Sequence, residues 1–222
     1  CACRQGRLGE AVFDSFVGKW SHAALLEPNE RRLFVPCKGD DVLVIFEFDE
    51  TAGQLTNPLR VGTRDGFGPR HVAFTRQGAR TYLIAENSCE LAVVESEAPG
   101  AYRITRSLST LPEARAEGDT GADVHASPDE RFVYASNRGH DSIALFSTAG
   151  DRLSLVEHVP SGGRVPRNFC LDDAHLLVAN QESGNVALFR RDLTTGRLSA
   201  AGSVELGERI FWVGPERAPL GA

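Results

Sequence analysis

The sequence predicts an all-β fold, a β-propeller of four-stranded antiparallel blades, and three observations carry that prediction. A short β-prone run followed by a four-residue apolar run recurs four times along the 222 residues. Each recurrence brings its own upstream and downstream strand, set off by turns rich in Pro, Asn, Asp and Gly. The apolar runs are too short for helices, rich in Val, Ile and Phe, and bounded by Gly and Asp. Four short strands in about 40–50 residues is the pattern of a propeller blade.

The first strands are expected at 22–26, 70–74, 122–126 and 167–171. Turns at 28–30, 76–78 and 128–130 lead into second strands at 32–38, 81–86, 132–138 and 176–181. The apolar third strands are 43–46, 91–94, 143–146 and 186–189, and they should be buried between neighbouring sheets around Ile45, Val93, Leu145 and Leu188. Fourth strands, such as 151–159, follow lead-in turns at 51–55, 149–153 and 195–198. Counted from Lys38 to Glu86 to Arg138 to Gln181, the repeat distances are 48, 52 and 43 residues. The resulting division is the end of a preceding blade (1–19), four blades (20–66, 67–117, 118–163 and 164–210) and a C-terminal tail (211–222). The chain begins at Cys1 and contains no Met, so the natural N-terminus is expected to lie upstream.

Composition narrows the function. Lys and Arg total 24 against 30 Asp and Glu, a net charge of -6 with no basic run, which disfavours nucleic acid as a partner. No apolar stretch approaches the roughly 20 residues of a membrane span. The five cysteines, Cys1, Cys3, Cys37, Cys89 and Cys170, are odd in number and scattered. Reduced thiols and a cytoplasmic location are therefore expected.

The strand register places specific side chains together. In an antiparallel pair the start of one strand lies beside the end of the next. The first-strand starts His22, Arg70, Ala122 and Arg167 thus share one face with the second-strand ends Lys38, Glu86, Arg138 and Gln181. His22 to Lys38, Arg70 to Glu86 and Ala122 to Arg138 are each 16 residues, and Arg167 to Gln181 is 14 because the turn at 173–175 is shortened. With the first strand innermost, these residues ring the mouth of the central channel, the default place for a site. The plainer explanation is that they are solvated turn residues, with Arg70 and Arg138 as counter-charges for Glu86. His71 and His125, inside first strands, fit a packing or a site role equally. His140, His158 and His175 sit at loop or edge positions without an evident role.

Several segments carry a family resemblance: Gly68-Pro-Arg-His-Val-Ala-Phe74, Ala122-Asp-Val-His-Ala-Ser-Pro-Asp129, Ala135-Ser-Asn-Arg-Gly-His-Asp-Ser-Ile143, Val156-Glu-His-Val-Pro-Ser-Gly-Gly163, Pro166-Arg-Asn-Phe169 and Val178-Ala-Asn-Gln-Glu-Ser-Gly-Asn185. From about Trp20 to Leu198 the chain resembles the lactonase family of seven-bladed propellers. That family includes propeller-type 6-phosphogluconolactonases and 3-carboxy-cis,cis-muconate cyclases. The resemblance implies that about four blades of a seven-bladed ring are present, in an N-terminally truncated member. It also implies a catalytic set of His22, Arg70, Glu86 and Arg138. Arg167, His71, His125, Gln181 and Lys38 are the further substrate-binding candidates.

Lactone hydrolysis by such a set needs a base, Glu86 or His22, and guanidinium groups, Arg70 and Arg138, for the developing oxyanion. Arg167 would grip the anionic end of a small lactone or carboxylate substrate. A muconate-type lactonising cyclase, or a non-catalytic binding scaffold, would draw on the same residues. Other propeller lactonases use calcium, but the channel positions here offer no Asp/Glu cluster, so no metal or other cofactor is expected. Four blades of seven would also leave two apolar sheet faces open, one on the unit that begins near Trp20 and one on the unit that ends near Leu206.

Overall fold

The computed structural model describes the backbone at residues 3–4 and 7–8, and the chain at 16–76, 80–98, 100–149 and 152–214. Four antiparallel four-stranded sheets follow one another along the sequence. Blade 1 contains β3 (Leu25–Leu26), β4 (Arg32–Cys37), β5 (Val42–Asp49) and β6 (Gln54–Gly62). Blade 2 contains β7 (Pro69–Phe74), β8 (Thr81–Ala85), β9 (Glu90–Ala98) and β10 (Ala101–Ser109). Blade 3 contains β11 (Thr120–Ala126), β12 (Phe132–Arg138), β13 (Ser142–Ser147) and β14 (Ser154–Pro160). Blade 4 contains β15 (Pro166–Leu171), β16 (His175–Asn180), β17 (Asn185–Arg191) and β18 (Leu198–Glu205). Before them, β1 (Cys3–Arg4) pairs with β2 (Arg7–Leu8) in a small hairpin of its own. The preceding-blade ending expected over 1–19 otherwise falls largely outside the described residues. Among the described residues there is no α-helix; a 3-10 turn covers Lys38–Asp40.

The repeat is written into the backbone. The third residue after each second-strand polar end, Asp41, Cys89, Asp141 and Gly184, adopts a left-handed conformation with φ between 49° and 68°. That residue turns the second strand into the third in every blade. In blade 1 the Asp41 carboxylate also accepts the Gly66 and Gly68 N–H groups, both at 2.7 Å. In blade 3 Asp141 accepts the Val165 N–H at 2.8 Å. The turn that closes one hairpin therefore fixes the crossing into the next blade.

Packing between blades supplies the core. Phe34, Leu43 and Ile45 of blade 1 meet Val72, Leu83 and Val94 of blade 2. Ile84, Leu91 and Val93 face Val124, Ala135 and Phe146 of blade 3. Tyr134, Ile143 and Leu145 face Phe169, Val178 and Phe189 of blade 4. Each such side chain contributes about 1.5–3 kcal/mol when fully buried. Arg191 locks the last pair: its guanidinium bonds Asp129 at 2.8 and 2.9 Å and the Tyr134 hydroxyl at 3.0 Å. Blades 2 and 3 approach closely at Gly121, whose N–H bonds the Glu86 carbonyl at 3.0 Å and where a Cβ would collide with the Ala85 carbonyl oxygen.

Two expectations about open faces meet different outcomes. The far face of blade 1 is covered: Val35, Cys37, Val42, Val44 and Phe46 are buried, with Val17 packed against them. The far face of blade 4 is half-open. Leu177 and Leu188 are only partly buried there, whereas Ile45, Val93 and Leu145 are fully buried as expected. The alternation of β17 explains this, since Ala187 and Phe189 point into blade 3 and Leu188 points away. Cys37, Cys89 and Cys170 are free thiols.

Candidate active site

The inner strands of three blades share an irregularity. The ladder between first and second strands shifts between Pro69 and His71, between Gly121 and Val124, and between Pro166 and Asn168. A bulge re-aims the residues it leaves unpaired. Here those residues are Arg70, Ala122 with Asp123, and Arg167, so the repeat turns the same positions of successive blades out of the regular pleat.

Glu86, just beyond the end of β8, lies at the centre of a cation cluster. Its Oε1 accepts the Lys38 Nζ at 2.7 Å, and its Oε2 accepts the Arg70 Nε at 2.9 Å and lies 3.3 Å from Arg138 Nη2. The three cations come from blades 1, 2 and 3. Arg138 also donates to the Gly121 carbonyl at 3.0 Å, and Arg70 Nη1 donates to the Ala122 carbonyl. Burial opposes the charge on Glu86, but the Lys38 hydrogen bond and the Arg138 and Arg70 charges outweigh it, leaving its pKa below the ordinary value. Burial and the neighbouring Arg138 bring Arg70 down to about 10, so it stays protonated near neutrality.

Beside this cluster is a cavity of about 130 Å³. It is lined by His22, Arg70, His71, Asp123, Arg167, Asn168, Phe211 and Trp212. The His22 and His71 rings meet edge to face, with centroids 6.3 Å apart. Burial, then the Arg70 and His71 charges, pushes His22 down to about 4. That leaves a neutral imidazole at neutral pH.

Asp123 forms a second polar centre, almost fully buried. Its Oδ2 accepts the Asn168 side-chain N–H at 2.7 Å and the Phe169 N–H at 3.2 Å, and lies 3.2 Å from His125 Nε2. His71 Nδ1 lies 3.4 Å from Asp123 Oδ1. Burial works against the Asp123 charge, but His125, His71 and the backbone bonds hold the carboxyl far below its usual range. Burial lowers His71 despite Asp123, whereas Asp123 overcomes burial at His125 and raises it. The proton shared around this carboxylate therefore favours His125.

The structure thus gathers Lys38, Arg70, Glu86 and Arg138 into one cluster, with His22, His71 and Arg167 on the adjoining cavity. Gln181 accepts from Arg167 Nη1 at 3.4 Å and donates to Glu182 at 3.0 Å, at the edge of the group. His125 stacks on Phe169, centroids 4.7 Å apart, and reaches the cavity only through Asp123. Asp123, Asn168, Phe211 and Trp212 are absent from the sequence-based set. Asp123 and Asn168 carry a signal in the repeat, because each follows an inner-strand residue equivalent to Arg70, as His71 does. Phe211 and Trp212 fall in the segment read as a tail. Instead the Val213 N–H bonds Asn168 Oδ1 at 2.7 Å and brings both rings to the cavity. Among the described residues no group of His, Cys, Asp and Glu has metal-binding geometry. A larger cleft of about 320 Å³ between blades 2 and 3 is lined by Arg80, Glu95, Arg106 and Arg152, away from the histidines and Glu86.

Comparison with known proteins agrees with this architecture. The model of a family described as "Lactonase, 7-bladed beta-propeller" matches residues 18–213. The chain belongs to this lactonase family. A 6-phosphogluconolactonase of Bacillus subtilis is 34% identical over 184 residues, covering 81% of the chain and 52% of that protein. One from Serratia proteamaculans is 31% identical over 199 residues, covering 86% of the chain and 60% of that protein. Among solved structures, a Lactobacillus plantarum protein superposes with a TM-score of 0.80 at 32% identity, over 85% of the chain and 56% of its own. The Pseudomonas aeruginosa periplasmic gluconolactonase PpgL gives 0.78 at 30% identity, over 85% and 55%. The chain therefore spans a little over half the length of these proteins. No helix among the described residues is long and apolar enough to cross a membrane.

Proposed function

We propose that this lactonase-family chain carries the site of an enzyme that hydrolyses a small anionic sugar lactone of the 6-phosphogluconolactone type. The observation that carries the reading is the convergence of Lys38, Arg70 and Arg138 on Glu86 next to a cavity holding a neutral His22. The names of the relatives from B. subtilis and S. proteamaculans support the substrate class.

The geometry divides the labour. Glu86 accepts from Lys38 and Arg70, lies against Arg138 and is held ionised, so its lone pairs are committed and it makes a poor proton acceptor. His22 is neutral, lines the cavity and takes the proton from the attacking water. Arg70 and Arg138, fixed by Glu86 and by the Ala122 and Gly121 carbonyls, present N–H groups to the carbonyl oxygen as it becomes an oxyanion. Their positions are preset, so little reorganisation is needed at the moment of attack. Arg167 spends one N–H on Gln181 and offers the rest of its fork to the substrate's phosphate or carboxylate. The proton on His22 then passes to the ring oxygen as the acyl bond breaks. A cytoplasmic location belongs to this proposal as well.

The test is turnover of 6-phosphogluconolactone by the chain and by His22→Ala. A fall of at least about 100-fold with an unchanged melt is expected for loss of a general base. Wild-type-like turnover in His22→Ala would remove it from the mechanism. Conversion of 3-carboxy-cis,cis-muconate in place of the lactone would transfer the same residues to a cyclase.

A further inference from the structure

We propose that Trp212, with Phe211 beside it and Trp20 next to Lys38, forms an aromatic lip that stacks on the sugar ring of the substrate. The inference rests on the lactonase reading and names what that reading leaves open, how the ring itself is recognised. A large aromatic ring beside a site offers a flat apolar face to a ligand ring.

Their placement is specific. Phe211 and Trp212 line the same cavity as His22, Arg70 and Arg167. The Arg167 guanidinium carbon lies 5.8 Å from the Phe211 ring centroid. Trp20 stands on the Glu86 side, where Lys38 Nζ is 5.6 Å from its ring centroid and 2.7 Å from Glu86 Oε1. Phe211 and Trp20 thus each pair an aromatic face with a cation that also faces the candidate site. The backbone holds these rings in position. Val213 is tied to Asn168 at 2.7 Å, and Trp20 sits at φ 52°, a left-handed conformation that a bulky residue rarely adopts.

A pyranose or sugar-lactone ring suits this surface, having an apolar C–H face and a polar rim. The face would lie on the indole of Trp212 while the phosphate or carboxylate reaches Arg167 and the reacting carbonyl reaches Arg70. Anion and ring are then recognised by separate residues, and that separation is testable.

Glucose 6-phosphate, a non-reacting ring phosphate, and inorganic phosphate serve as probes, with calorimetry for affinity and tryptophan emission for contact. Glucose 6-phosphate should shift the emission to the blue, and phosphate should not. In Trp212→Ala the affinity for glucose 6-phosphate should fall about tenfold, the scale of one aromatic contact with its buried area. Phosphate affinity should stay within about twofold of wild type on the same scale. Trp212→Phe should recover most of the loss, which separates stacking from a folding defect. Equal losses for both probes, or no loss for either, overturns the lip while leaving the anion site standing. Failure of the wild-type chain to bind either probe overturns the anion site and the lip with it.

Discussion

Glu86 and Asp123 are two carboxylates that perform the same structural task with opposite chemistry. Each ties three consecutive blades together next to the cavity. Glu86 collects Lys38, Arg70 and Arg138 from blades 1, 2 and 3. Asp123 collects His71 from blade 2, His125 from its own blade, and Asn168 with the Phe169 N–H from blade 4. The partners of Glu86 are lysine and arginine, whose charge does not change near neutral pH. Two of Asp123's partners are imidazoles, whose charge does. The comparison teaches that charge type, rather than burial or position, decides which of the two centres is static and which responds to pH.

The largest expected effect comes from breaking the static centre. Glu86→Gln keeps the shape but leaves three cations facing one another in a partly desolvated place. Removing one member of such a buried ionic group costs about 3–5 kcal/mol. We expect the unfolding midpoint in urea to fall accordingly, and turnover to fall with it because Arg70 and Arg138 lose their anchor. If Glu86 were instead a proton acceptor with little structural role, turnover would collapse while the midpoint held.

How much of this was legible beforehand follows from the same comparison. The Glu86 centre could be read from the sequence because strand ladders fix spacing. Lys38, Glu86 and Arg138 recur at one register, and Arg70 lies 16 residues before Glu86. The Asp123 centre could not be read so directly. It depends on the inner-strand bulge, and the ladder shift between Gly121 and Val124 is a three-dimensional event with no residue type of its own. Phe211 and Trp212 were hidden for another reason, since they lie beyond the last repeat and form no ladder. The position of Leu188 was legible but its half-burial was not, because exposure of a sheet face depends on what stands opposite it.

A smaller effect is expected from Asp123→Asn, which preserves size and, with its oxygen in the Oδ2 position, still accepts from Asn168 and Phe169, while losing the charge and the acceptor of the Val124 N–H. Hydrogen bonds to charged groups are worth about 1.5–3 kcal/mol, and the neutral amide should keep part of that. The expected loss of stability is therefore below that of Glu86→Gln. A second readout belongs to this centre alone. His125 is raised because Asp123 outweighs burial, so in Asp123→Asn its titration, followed by its ring proton resonances, should move down below the ordinary histidine value. An unchanged His125 titration would mean that the pair at 3.2 Å does not set its proton affinity.

The smallest effect is the pH dependence of these two substitutions, and it separates the centres most cleanly. A histidine raised on folding contributes stability that is fully present below its unfolded pKa and is lost as pH rises through its folded one. His125 is such a group, so its pairing with Asp123 should be complete at pH 5.5 and should weaken as pH rises above the ordinary histidine value. The stability difference between wild type and Asp123→Asn should accordingly shrink from pH 5.5 to pH 9. His22 and His71 are lowered, and their contribution runs the other way, present above pH 6.5 and lost as pH falls, for His22 toward about 4. That part is common to wild type and variant at His22, so it cancels there in the difference. For Glu86→Gln the difference should change much less over the same range, because Glu86 is held ionised throughout and its partners are a lysine and two arginines rather than imidazoles. Urea unfolding of the three proteins at the two pH values decides the matter. A flat difference for Asp123→Asn would show that His125 carries no charge in the folded protein at pH 5.5, and a steeply sloping one for Glu86→Gln would show that the cation cluster titrates after all.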